Sequence, residues 1–220
     1  SNPNSLESTP QRESLVLNVE QVLDKIAQKR LAGAERVAIL GHSMGSGVAL
    51  DYGRLHSSTF ATIAVSPVLR EVTPELPHNL LLMAGTNEAN FLDNAEQLMV
   101  QAGGEGGDHW QGTARALVAI PGANHLSILF DTKSHETARD WLEAVFGTQV
   151  GGIAYRDRRI AWFAVGVLGT LVAAFALAKL VSLAPEAMAF PLPLWRRLLA
   201  LLVGILGASF SLGGLSQIGL

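Results

Sequence analysis

The chain has 220 residues, a formal net charge of −3 and no cysteine, with a mean hydropathy of +0.29. Without a basic stripe or net positive charge it is not built for nucleic acid. Without cysteine, disulfides, thiolate metal sites and cysteine nucleophiles are excluded. Charge is spread unevenly. Across residues 160–220 the only charged side chains are Lys179, Glu186, Arg196 and Arg197, so the positive hydropathy averages an ordinary polar region with a very apolar tail. Residues 1–14 are mostly polar and show no signal peptide. The chain is expected to begin partway through a domain.

In chain order, residues 15–29 predict an amphipathic helix: Leu15, Val19, Val22, Leu23 and Ile26 recur at helical spacing. Gly33 ends it in a turn. Residues 36–40 form a short apolar run, the mark of a buried parallel strand. A glycine-rich turn at 41–47 leads into a helix over Met44–Leu55. Strands follow at 60–65 and 80–84, a helix at 89–101, a glycine-rich loop at 103–112, a strand at 116–120 and a closing helix at 135–146. Strands alternating with helices predict a parallel sheet covered on both faces.

The tail differs in kind. Residues 160–178 and 198–220 carry no charge, and roughly 20 apolar residues suffice to cross a bilayer as a helix. Trp162 and Trp195 stand near the ends, where interfacial aromatics are favoured. Pro185, Pro191 and Pro193 break the connection. The expectation is a transmembrane hairpin, with helices at about 160–182 and 196–218 inside a membrane region 150–220, after a soluble domain 1–149. The alternative is a pair of buried helices in a large soluble core. Arg156, Arg158 and Arg159 precede the first span while Lys179, Arg196 and Arg197 lie in the connection, so positive charge leaves the orientation open.

Gly41-His42-Ser43-Met44-Gly45 is a G-x-S-x-G sequence between a strand and a helix. In that setting a strained turn projects a serine above the strand's end, and the helix amino terminus favours negative charge beside it. Gly41 and Gly45 are read as glycines for tight packing. A phosphate-binding turn is the competing reading, but the G-x-G-x-x-G spacing and a P-loop lysine are absent. A serine hydroxyl needs a base. Of six histidines, His42 is inside the turn, His56 ends the next helix, His78 and His109 sit in polar loops and His135 begins the last helix. His125 lies in Pro-Gly-Ala-Asn-His directly after the last strand, and is either the base or a loop histidine bonded to backbone. An orienting acid falls between serine and histidine in this order of residues. Glu88, in Gly-Thr-Asn-Glu after the strand at 80–84, is the candidate, with Asp93 in reserve. An acid that merely caps the helix is the alternative reading.

These three segments resemble the carboxyl-side portion of an α/β-hydrolase, similar to the dienelactone-hydrolase and esterase-like branches, over residues 15–147. The resemblance implies an α/β fold and hydrolysis through an acyl-enzyme: Ser43 attacks, His125 relays the proton, Glu88 steadies the imidazolium and the Met44 N–H gives one oxyanion-hole donor. No cofactor or metal is implied. The second oxyanion donor and the first strands of such a sheet belong upstream of the turn, so the fold is expected to be partial, with an exposed apolar edge. About a dozen residues separate the strands at 60–65 and 80–84, too few for a cap domain, which predicts an open site.

The overall expectation is a membrane-tethered serine hydrolase of carboxylic esters, with a small-molecule or lipid-like acyl substrate and the bilayer as partner. Alternatives are a peptidase or thioesterase of the same fold, a non-catalytic hydrolase-like domain, or an accessory domain of a multi-span membrane protein.

Overall fold

The computed structural model describes residues 9–29, 36–148, 157–182 and 195. The chain divides into two units, residues 1–157 and residues 158–220. The domain boundary expected at 149–150 lies outside the described residues.

In the first unit the order is α1 (Thr9–Gln28), β1 (Val37–His42), α2 (Met44–Leu55), β2 (Thr59–Val65), β3 (Leu80–Gly85), α3 (Ala89–Gln101), β4 (Arg115–Ile120) and α4 (Thr132–Phe146). The four strands are parallel and neighbours in chain order, β1-β2-β3-β4. Every expected element is present, and most differences lie at its ends. α1 starts at Thr9 rather than 15, since Pro10 is compatible with a first helical turn whose N–H groups have no partner anyway. α4 starts at Thr132 rather than 135, because the Asp131 carboxylate accepts from the Ser134 N–H and caps it. A short 3₁₀ turn at Ser127–Phe130, unforeseen in the sequence, precedes it.

Strand side chains alternate between faces, so a strand buried on both sides needs apolar residues at every position. β3 meets that demand: all six of its residues are buried. Leu80, Leu82 and Ala84 pack with Leu50 of α2 and Ala95, Leu98 and Met99 of α3. Leu81 and Met83 join Ile63, Val65, Ile120 and Ile128 on the opposite face, where Ala138, Trp141 and Leu142 of α4 close over them. Among the described strands β1 and β4 form the two edges. Leu40 of β1 pairs with Ile63 in the ladder and is 54% exposed.

Between β2 and β3, residues 66–79 hold no helix or strand. Val72 and Leu69 from this stretch pack on the α2–α3 core. No cap domain is inserted there.

In the second unit α5 (Arg159–Ser182) is a helix of 24 residues. Among the described residues no helix is long and apolar enough to cross a membrane, so the expected hairpin of two spans is not supported. The side chains of α5 are described at 159–172, 174 and 175. The second expected span, 196–218, lies outside the described residues.

Leu82 is fully buried between α2, α3 and the sheet. Leu82→Ala is expected to cost about 3 kcal/mol, because a central strand cannot collapse into the space left. Leu40→Ala at the exposed edge is expected to cost well under half of that. Urea unfolding midpoints of the two variants check the order.

Candidate active site

The carboxyl ends of all four strands converge on one place, as ligand sites of open parallel sheets do. β1 runs into the turn at Ser43, which adopts φ 56°, ψ −122°, a conformation costing a non-glycine residue on the order of 1–3 kcal/mol. Gly41 makes the turn possible: a Cβ there would lie 2.0 Å from the Gly45 carbonyl oxygen. The steric reason expected for Gly45 is absent, since a Cβ there would meet nothing within 4 Å. Gly45 stands in the first turn of α2 with open space where its Cβ would be. The second close approach in this region belongs to Gly47, whose Cβ would fall 2.5 Å from the Arg70 guanidinium.

The three residues selected from the sequence come together. The Ser43 Oγ and His125 Nε2 are 2.9 Å apart, and the His125 Nδ1 lies 3.0 Å from Glu88 Oε2. With the carboxylate accepting, Nδ1 carries the proton and Nε2 is free to accept from the serine hydroxyl. That is the tautomer a general base requires. Asp93, the reserve acid, is exposed on α3 and has no place in this line. His56 pairs instead with Glu20 of α1 at 3.0 Å, and His135 with the Leu129 carbonyl at 2.9 Å. His109 sits edge-on to Trp141, and the His78 ring lies against Gly112.

Glu88 is only 8% exposed, and its position as N-cap residue of α3 involves no side-chain capping bond. Its Oε1 accepts from the Gly85 N–H at 2.6 Å and from the Ser66 hydroxyl at 2.8 Å, while Oε2 faces the histidine. The capping alternative is therefore not what the side chain does. A Cβ on Gly85 would lie 2.2 Å from the Ala123 carbonyl oxygen, so this glycine lets the loop bearing His125 approach the turn bearing Glu88. Asn87 reinforces that approach: its N–H donates to the Ala123 carbonyl at 3.0 Å and its Nδ2 to the Gly122 carbonyl at 2.9 Å.

Three contributors were not found in the sequence. Ser66, buried at the end of β2 with φ 47°, holds the carboxylate. Phe91 stacks on the His125 ring at 4.4 Å between centroids and 14° between planes. His42 donates from Nε2 to the His125 carbonyl oxygen at 2.9 Å; burial, then the neighbouring His125 charge, pushes its imidazole below the usual histidine range. The Ser66 and Phe91 contacts cross between chain segments and leave no local pattern.

The site is shallow. Met44, beside the serine, is 50% exposed and Leu126, beside the histidine, 68%. As the first residue of α2, Met44 has a backbone N–H with no intrahelical partner. Among the described residues no cluster of His, Cys, Asp and Glu could hold a metal ion.

Residues 5–99 match the family described as "Serine aminopeptidase, S33". No curated protein matches the chain. Among solved structures, the chain is similar to one from a study of carboxylesterases of the ammonia-oxidizing thaumarchaeon Nitrososphaera gargenis. The two share 9% identity over 62% of this chain and 73% of that one, with a TM-score of 0.48. It is also similar to a variant of Arabidopsis thaliana SOBER1, with 17% identity, 63% and 67% coverage and a TM-score of 0.49. A third is assigned as a dienelactone hydrolase of Klebsiella pneumoniae, with 16% identity, 68% and 71% coverage and a TM-score of 0.47. The family match and the parallel sheet with flanking helices support a hydrolase-like α/β fold.

The two glycines of the turn make a discriminating pair. Gly41→Ala is expected to lose the folded site, because its methyl would overlap backbone. Gly45→Ala, on an open helix position, is expected to change the melting temperature by no more than a few degrees, alanine being the better helix former. Thermal melts of both variants decide it.

Proposed function

We propose that the chain is a serine hydrolase that cleaves carboxylic esters through an acyl-enzyme. The observation that carries this is the unbroken line Ser43 Oγ, His125 Nε2, His125 Nδ1, Glu88 Oε2, with gaps of 2.9 and 3.0 Å. In the first step His125 takes the serine proton at Nε2 as Oγ adds to the substrate carbonyl carbon. The Met44 N–H stabilises the developing oxyanion, and the imidazolium is stabilised by Glu88. The same nitrogen then gives its proton to the departing alkoxide. In the second half water replaces the alcohol, His125 again serving as base, and the acid is released. The shallow surroundings, with Met44 and Leu126 half or more exposed, suit an extended or lipid-like acyl group rather than an enclosed small molecule.

A second reading, peptidase activity, is favoured by the family described as serine aminopeptidase. Such an enzyme must hold the ammonium of its substrate. Glu88 is buried and already engaged with Gly85, Ser66 and His125, so it is not placed to serve as that anchor. Ester hydrolysis asks for no such anchor.

The proposal includes a membrane tether. α5 carries no charged side chain between Ile160 and Ala178. Ile160, Trp162, Phe163, Val165, Leu168, Val172 and Phe175 are each more than half exposed, and such a helix is stabilised by lipid around it.

The full chain is expected to react with a fluorophosphonate, and Ser43→Ala to abolish that labelling. Glu88→Gln is expected to lower kcat by a factor on the order of 10³ to 10⁴, by losing the tautomer that keeps Nε2 basic. An unlabelled but folded chain rejects the enzyme reading, and faster turnover of aminoacyl anilides than of acyl esters moves it to a peptidase. For the tether, membranes from cells producing the chain should retain it through alkaline carbonate washing. Release into the wash would show that it is not integral.

A further inference from the structure

His42 stands inside the turn yet takes no part in the reaction as written. Its ring nonetheless meets the base: Nε2 lies 2.9 Å from the His125 carbonyl oxygen, and the two imidazole centroids are 4.7 Å apart at 37°. We propose that His42 is a positioning residue, which holds the His125 loop over the nucleophile through a hydrogen bond from its Nε2–H to the His125 carbonyl. The inference rests on the serine-hydrolase reading.

The loop at 121–126 has two sides to secure. On the side of the acid, Asn87 and Thr86 hold it: Gly122 N–H donates to Thr86 Oγ1 at 2.8 Å, and the Gly122 and Ala123 carbonyls accept from Asn87. These bonds fix His125 relative to Glu88. On the side of the nucleophile, the contact between Ser43 Oγ and His125 Nε2 cannot serve as an anchor, since it breaks and re-forms in each half-reaction. The bond from His42 joins the same two segments at a group that undergoes no chemistry. It lets the imidazole keep its place while Nε2 turns from serine to leaving group to water. Phe91, stacked on His125 at 4.4 Å, restrains the ring itself, and His42 restrains the backbone that carries it.

A carbonyl oxygen only accepts, so the bond requires a proton on His42 Nε2. With the ring neutral, Nδ1 is bare. Burial, and after it the neighbouring His125, favour that neutral form, which would avoid a second cation beside the imidazolium that forms on His125.

The test compares His42→Gln with His42→Phe in the full chain. The glutamine amide places an N–H near where Nε2 stands; phenylalanine keeps the ring and loses the donor. With a p-nitrophenyl acyl ester, His42→Phe should lower kcat about tenfold and change KM less than twofold, while His42→Gln should stay within about threefold of the unsubstituted chain. A general loss of structure would not be rescued by glutamine. Equal kcat for His42→Phe and the unsubstituted chain, or equal impairment of both variants, overturns the proposal. Long-range proton–nitrogen spectra of the unsubstituted chain test the bond apart from turnover: His42 should be the Nε2–H tautomer, and finding Nδ1–H overturns the proposal. No ester turnover and no fluorophosphonate labelling would reject the serine-hydrolase reading, with the tautomer still deciding the bond.

Discussion

Glu88 keeps a carboxyl group almost out of water, and burying such a group is costly unless donors replace the solvent. Three do, from three different parts of the chain: the Gly85 N–H, the Ser66 hydroxyl and the His125 imidazole. The carboxyl group can be satisfied in this way only if the ends of β2, β3 and β4 lie within one hydrogen-bond length of it. That requirement ties the site to the register of the sheet. It also makes the site sensitive to its supporting residues: with Ser66 or Gly85 displaced, a buried oxygen would lose its partner as well as its orientation.

Much of this was legible in the sequence, for reasons that can be stated. Continuous apolar runs such as 80–84 have few uses other than a strand buried on both faces, and β3 is one. The serine, the histidine after the last strand and the acid between them could be selected because each follows a strand, and strand ends are where an α/β sheet puts its chemistry. The ends of the helices were harder to read. α4 begins three residues early because Asp131 caps it, and its first turn of Thr132, Lys133 and Ser134 has no apolar residue to announce it. Arg115 opens β4 although it is charged. Its guanidinium is buried against the carbonyls of Pro74, Gly112 and Ala114, an arrangement that periodicity does not encode.

The turn at Ser43 shows where motif reading stops. Both its glycines are part of the pattern, yet only Gly41 faces backbone. The difference is one of surroundings: a Cβ on Gly41 would run into the backbone of Gly45, while a Cβ on Gly45 would enter open space. Ser66 and Phe91 were invisible for a different cause. A serine after a strand and a phenylalanine on a helix are ordinary residues, and only the sheet's register brings them to Glu88 and His125.

That register reaches the site by a repeated device. The hydrogen-bond ladder of the sheet continues one residue past each of the first three strands. Ser43 N–H donates to the Val65 carbonyl at 2.9 Å, Ser66 N–H to the Met83 carbonyl at 2.7 Å, and Thr86 N–H to the Ile120 carbonyl at 3.0 Å. Each bond fastens a site-bearing turn to the next strand, so the nucleophile, the residue that holds the acid and the turn that carries the acid are spaced by strand pairing itself. Neighbouring strands are about 4.8 Å apart, an interval that the Glu88 and His125 side chains bridge here. Glutamate's extra methylene over aspartate is then accommodated by position: Glu88 sits three residues beyond Gly85 and turns back, so that its carboxyl group returns to the N–H of Gly85. The unfavourable backbone of Ser43 is held by the same bonds, since leaving it would break the ladder at its first step.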